Sequence, residues 1–128
     1  MPRVKQLRVA IQNRPGTLAH VARVLGKARV DIQAFQTGTT GKKGYVEVLV
    51  NDIRRAKQIL RRERFSFREQ DVLRIELRNV PGALGVFAGK LAARGINIDS
   101  GYAAPAKRSK KASVVLSVSH LHKAARIR

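Results

Sequence analysis

From residue 7 the chain alternates: Leu7, Val9 and Ile11 are apolar, while Arg8, Ala10 and Gln12 lie between them. This is the period-two pattern of a strand with one buried face. Leu18, Val21, Ala22 and Leu25 then recur at helical spacing, which predicts a helix ending near Ala28 with Arg23, Lys27 and Arg29 toward water or its C-terminus. Val30, Ile32 and Ala34 resume the alternation, and Val46, Val48 and Val50 repeat it, so the intervening run from Gly38 to Gly44 reads as a hairpin loop. Asn51-Asp52 suits the cap of a second helix, with Ile53, Ala56, Ile59 and Leu60 on its apolar side. Phe65 and Phe67 open a fourth strand that runs to about Gln70. The predicted order is βαββαβ.

The same order then begins again. Leu73, Ile75 and Leu77 alternate like Leu7, Val9 and Ile11; Leu84, Phe87, Ala88 and Leu91 reproduce the first helical stripe; Ile96 and Ile98 match Val30 and Ile32. Positions 7 to 38 and 73 to 104 share nine identities without a gap, the signature of an internal duplication. The segment from Ala103 to Ala112 is the counterpart hairpin loop, and Val114, Leu116 and Val118 make the third strand. At a constant offset of 66 residues Arg128 falls on Arg62, so the second repeat is expected to lack its last helical turn and its fourth strand. Its first strand would then lack an edge partner, and an open edge invites pairing with another chain. With no turn residues between the repeats, one long strand is expected to cross from the first into the second.

Each repeat joins its first strand to its first helix through the same kind of turn: Asn13-Arg14-Pro15-Gly16-Thr17-Leu18 and Asn79-Val80-Pro81-Gly82-Ala83-Leu84. Pro is expected at the first helical position, where its missing N–H costs nothing, and Gly leaves room for something to approach the backbone. The first-turn N–H groups of a helix have no intrahelical partners, which suits a carboxylate or another anion. A tight structural turn would use the same residues. Gly38 and Gly41 do not form a phosphate-binding loop: they are too close together, Lys42 is followed by Lys43, and a strand rather than a helix comes next.

Composition adds one unusual feature. Lys and Arg total 27 against eight Asp and Glu, a formal net charge of +19. The excess is divided evenly, +10 up to Asp71 and +9 beyond it, so there is no basic tail on a neutral body. Its densest clusters are Arg54, Arg55, Lys57, Arg61, Arg62 and Arg64 on the second helix, and Lys107, Arg108, Lys110 and Lys111 in the second hairpin loop. Such clusters suit a solvated surface or an electrostatic nucleic-acid contact with steep salt dependence. The absence of Cys removes disulfides and thiolate chemistry. No apolar run approaches the roughly 18 to 20 residues of a membrane span, and the N-terminus lacks an apolar secretory segment, so a cytoplasmic location is expected.

The strand ending in Asn-x-Pro-Gly-x-Leu, followed by a helix and then Val30-Asp31-Ile32 or Gly95-Ile96-Asn97-Ile98-Asp99, resembles the ACT domain, a small regulatory module of amino-acid metabolism. The whole chain is similar to stand-alone proteins made of two ACT domains in tandem, here residues 1–71 and 72–128, the second truncated. The resemblance implies an α+β fold of two ferredoxin-like βαββαβ units, each an antiparallel sheet of order 4-1-3-2 with both helices on one face. It also implies a non-catalytic regulatory role, with a free amino acid bound at the interface of paired ACT domains near the Pro-Gly turns.

By position, Asn13, Arg14, Pro15, Gly16, Thr17, Leu18, Asp31 and Ile32 would line one site, and Asn79, Val80, Pro81, Gly82, Ala83, Leu84, Asn97 and Ile98 the other. Backbone N–H groups of Gly16 and Thr17, or Gly82 and Ala83, would take the carboxylate; Asn13 or Asn79 and Asp31 the ammonium; Leu18 and Leu84 would wall the side-chain pocket. Each has a structural alternative: the asparagines as turn closures, Asp31 as a strand start, the leucines as core. The charge departs from the family, whose tandem members are more often neutral or acidic.

Catalytic and metal chemistry find little support. His20 lies off the helical stripe, His120 and His122 at i and i+2 of a helix do not face one another, and no Ser-His-acid or paired-carboxylate set stands out. No cofactor or metal is expected. The expected partners are a small-molecule amino acid, a second copy covering the open edge as a homodimer, and a regulated enzyme or regulator. Nucleic acid through the two basic clusters is the alternative, although the aromatic side chains that ferredoxin-like RNA-binding domains place on their central strands are absent.

Overall fold

The computed structural model describes residues 3–105 and 110–127. Their element order is β1 (Arg3–Gln12), α1 (Thr17–Lys27), β2 (Ile32–Thr40), β3 (Lys43–Val50), α2 (Ile53–Arg62), β4 (Phe67–Arg78), α3 (Ala83–Ala93), β5 (Ile98–Pro105), β6 (Lys111–Val118) and α4 (Leu121–Ala124). The fold is α+β, with antiparallel strand pairing, and it divides into two units: Lys5–Gln70, and Met1–Val4 together with Asp71–Arg128. The continuous strand β4 ends one unit and opens the other.

In the unit Lys5–Gln70 the strand order is β2-β3-β1-β4. Leu7 faces Val48 and Val9 faces Val46 across the β1–β3 ladder, so the apolar alternation of both strands falls on one face. Val21 and Leu25 of α1 and Ala56, Ile59 and Leu60 of α2 cover that face and complete the core with Ala28 and Val30. Asp52 caps α2 by accepting the Arg55 N–H at 3.1 Å, the bond that such a residue supplies to an orphaned first-turn donor. Asn51 does something else: its Oδ1 accepts the Asp31 N–H at 2.9 Å and closes the start of β2.

The unit containing Asp71–Arg128 has strands ordered β4-β6-β5, and Leu73, Val114 and Leu116 pack with Phe87 and Leu91 of α3, Ala124 of α4, and Ile127. Among the described residues no strand follows α4. Leu7 faces Val48 as Leu73 faces Leu116, so the offset between the repeats grows from 66 to 68 residues beyond the hairpin. This corrects the constant offset: Ala124 and Ile127 occupy the places of Ala56 and Ile59, and Arg128, matched above to Arg62, lies outside the described residues.

Three further expectations change. The seven-residue hairpin loop is a two-residue turn, because Thr40 still pairs with Lys43 and only Gly41, at φ 63°, and Lys42 lie between. Likewise β5 continues past Ala103 to Pro105 and β6 begins at Lys111. In β2 a bulge at Gln33, with Ile32 opposite Val50 but Ala34 opposite Leu49, exchanges the faces, so Phe35 rather than Ala34 stands opposite Val48. An extra residue in one strand of a pair has that effect because side chains alternate with a period of two. Asp99 is the equivalent extra residue between Ile98 and Ser100.

Candidate functional site

The Pro-Gly turns are built from backbone first. Gly16 has φ 91° and ψ −14°, and Gly82 has φ 87° and ψ −14°; each follows a proline, the combination of a type II turn with Pro at its second position and Gly at its third. In the second turn the closing bond is present, from the Ala83 N–H to the Val80 carbonyl at 3.3 Å. In the first, the Thr17 hydroxyl lies 3.1 Å from the Arg14 carbonyl and 2.8 Å from that of Gln12. The prolines therefore precede the helices, which start at Thr17 and Ala83 with Gly16 and Gly82 as N-caps, and do not occupy the first helical position.

Asn13 ties its turn to the β2–β3 hairpin, donating its N–H to the Lys42 carbonyl at 2.9 Å and its Nδ2 to the Gly41 carbonyl at 2.8 Å. The Asn79 N–H donates to the Lys110 carbonyl at 2.7 Å in the matching place. Arg14 folds back through Nε to Gln12 Oε1 at 2.6 Å, whereas Val80, its counterpart, leaves an exposed apolar side chain at the second turn.

Asp31 and Asn97 are not beside the asparagines of their own units. Asp31 exchanges bonds with Asn51, just past the end of β3 that is remote from the Asn13 turn; the eight residues of β3 span about 25 Å. Asn97 is held by the Ser119 hydroxyl at 2.9 Å and donates Nδ2 to Asp99 at 2.9 Å. Within either unit, therefore, the polar residues expected to share one site lie at opposite ends of the sheet.

The apolar members do converge. Leu18 and Ile32 line a cavity of about 220 Å³ between α1 and the sheet, with Phe35, Val46 and Val48. Leu84 and Ile98 line its counterpart of about 450 Å³, which also reaches Asn79, Val80 and Ala83 of the turn. The difference has a local cause. Phe35 stands opposite Val48 in β3, while Gly101 stands opposite Leu116 in β6, so the second cavity has no side chain where the first has the Phe35 ring, although Tyr102 lines it as well. A Cβ on Gly101 would lie 2.6 Å from Leu116 Cδ2, which shows that the leucine has taken the space above the glycine. Neither Phe35 nor Gly101 was marked by alternation, because the bulges change the face that each presents.

Half of the basic cluster on α2 is engaged internally. Lys57 pairs with Glu69 at 3.0 Å, Arg55 Nε donates to the Ala28 carbonyl at 2.6 Å, and the Arg61 guanidinium lies 5.6 Å from the centre of the Phe67 ring. In the second cluster Lys107 and Arg108 lie outside the described residues, and Lys111 Nζ is 3.9 Å from Glu76. His120 is the N-cap of α4 rather than a helical residue, and His20 tilts against Phe65 with ring centres 5.1 Å apart. Among the described residues no group of three or more His, Asp or Glu could hold a metal ion, and no helix is long and apolar enough to cross a membrane.

Residues 5–64 match the ACT domain family. Protein BT0572 from Bacteroides thetaiotaomicron superposes with a TM-score of 0.88 at 30% identity, covering 96% of this chain and 84% of that one. The ligand-free regulatory subunit of aspartate kinase from Thermus thermophilus shares the fold, with a TM-score of 0.67, 17% identity, and 95% and 88% of the two chains covered. The corresponding subunit from Thermus flavus gives 0.64, 16% identity, and 98% and 94%. A comparison with curated proteins gave no match. With an ACT domain over residues 5–64, the chain belongs to the family of the Bacteroides thetaiotaomicron protein BT0572.

Proposed function

We propose that this is a non-catalytic regulatory protein of two tandem ACT units, residues 1–71 and 72–128, that binds a free amino acid at the second Pro-Gly turn. The observation that carries this reading is the cavity of about 450 Å³ that opens from that turn, against about 220 Å³ at the first. The larger volume lies in the ordinary range of small-molecule sites, and its walls are predominantly apolar with the polar turn at one end. In this reading Gly82 and the first turn of α3 face the carboxylate, Asn79 faces the ammonium, and Leu84, Ile98 and Gly101 surround the side chain. The first site, Asn13 to Leu18 with Ile32, is the weaker one because Phe35 occupies its space.

The signal would be a shift between arrangements that bind the ligand with different affinity. A second copy of the chain and a regulated enzyme or regulator, in the cytoplasm, are the proposed receivers; a monomer at high concentration in sedimentation would remove the homodimer from this reading.

The direct test is calorimetric titration with each of the twenty amino acids. Binding of one or a few amino acids, weakened at least tenfold by Asn79→Ala and much less by Asn13→Ala, is the expected result. No saturable binding of any amino acid would overturn it.

A further inference from the structure

The face of the sheet opposite the helices carries a second cavity, of about 410 Å³, in the unit Lys5–Gln70. Strand alternation brings its lining together. Because Leu7 and Val9 point to the helices, Arg8 and Ala10 point away; because Val46 and Val48 do, Lys43 and Tyr45 point away as well. The Ala10 N–H donates to the carbonyl of Ser66, just before β4, at 2.8 Å, and Ser66 and Arg68 complete the wall on that side, opposite Thr40. The cavity thus holds three cationic side chains and three hydroxyls, and none of its lining residues is acidic.

Arg8 is fixed in place. Its guanidinium lies 3.7 Å from the centre of the Tyr45 ring, and Nη1 donates to Glu47 Oε2 at 3.2 Å. The ring can lie there because Gly38 faces Tyr45 across the ladder: any Cβ would be 2.6 Å from the tyrosine oxygen. Glu47 balances Arg8, whereas Lys43 and Arg68 have no acidic partner among the described residues, leaving an excess of two positive charges.

The second repeat is an internal control. There Lys111 stands where Lys43 does, and the place of Ala10 is taken by Glu76, whose carboxylate is 3.9 Å from the Lys111 ammonium. Tyr45 is replaced by Ser113, which accepts from Arg74 Nε at 3.1 Å. One unit meets its own lysine with a carboxylate; the other has an alanine and a cationic cavity.

We propose that this cavity is a binding site for a phosphate-bearing small molecule, whose dianion takes the place that the Glu76 carboxylate holds in the second repeat. Lys43 and Arg68 supply the matching charge, Arg8 a preoriented guanidinium edge, and the Thr40 and Ser66 hydroxyls neutral donors. The concave shape and limited volume favour a metabolite-sized ligand over an extended polyanion.

The test is titration of the full chain with inorganic phosphate at constant ionic strength, followed by amide chemical shifts, with succinate and chloride in parallel. Saturable shifts confined to Ala10, Thr40, Lys43, Tyr45 and Arg68 are expected with phosphate. Ala10→Glu should weaken this binding at least tenfold, as should the double variant Lys43→Gln/Arg68→Gln, which decides the matter if Ala10→Glu does not fold. Arg62→Gln on α2 should leave it unchanged. Shifts that never saturate, that survive both variants, or that succinate produces as strongly as phosphate would overturn the proposal.

Discussion

Arg8 reaches Glu47 with an N–H···O distance of 3.2 Å, and the glutamate has no exposed side-chain surface while the arginine keeps 31% of its own. Glu47 also accepts from Gln36. A buried carboxylate that loses a cationic partner loses part of what compensates its charge. Arg8→Ala is therefore expected to destabilise the protein by about 2–3 kcal/mol, reduced from a fully buried pair by the arginine's exposure and by the remaining Gln36 bond. Arg8→Ala combined with Glu47→Gln should recover part of that loss. Urea unfolding of the two variants checks the order; equal stability of Arg8→Ala and the parent would contradict it.

Gly82 sits at φ 87° with nothing within 4 Å of an added Cβ, so its substitution isolates the backbone term. Gly82→Ala should cost about 1–2 kcal/mol from the left-handed conformation alone. The same value for Gly16→Ala, at φ 91°, would show that the two turns bear the same strain.

At Gly101 the space term dominates instead. Gly101→Ala brings a methyl to 2.6 Å from Leu116 Cδ2 and 3.3 Å from the Val115 carbonyl. We expect a loss of about 1 kcal/mol as Leu116 changes rotamer, together with a smaller cavity. In calorimetry any amino acid bound at the second turn should bind less tightly to this variant, while Phe35→Ala should enlarge the first cavity and leave the second titration unaltered.

Arg29 and Arg64 have φ of 61° and 62°, just beyond the ends of α1 and α2, where α3 uses Gly95 at φ 69°. In each case the next residue closes the helix, Val30 onto Leu25, Phe65 onto Leu60 and Ile96 onto Leu91. Such a cap favours glycine. Arg64→Gly should raise stability by about 0.5–1 kcal/mol, seen as a higher midpoint in thermal unfolding.

The core could be read from the sequence because its periodicity is physical. Val21 and Leu25, or Phe87 and Leu91, are spaced to meet a sheet whose own apolar residues lie two apart, and all of them are buried. The long strand β4 could be read for a negative reason, the lack of any turn residue between Phe67 and Arg78. What could not be read depends on contacts distant in sequence. Alternation alone does not reveal the unpaired residue at Gln33, nor therefore that Phe35 faces Val48. Asp31 and Asn13 look like neighbours in a motif; only the ladder from Lys43 to Val50 places them at opposite ends of a sheet. The cationic cavity leaves no pattern in the sequence for a related reason: Arg8, Lys43 and Arg68 belong to three strands and to neither of the basic runs.

The bulge at Gln33 also gives β2 a spare residue. Deleting it would leave Ile32 opposite Val50, Phe35 opposite Val48 and Gln36 beside its partner Glu47, with unbroken alternation between them. A single deletion beyond the bulge would instead carry the side chains that follow to the opposite face. In evolutionary terms this edge can shed one residue at Gln33 without changing what faces the helices, and natural variants of β2 shorter by one residue should be regular where this chain is bulged.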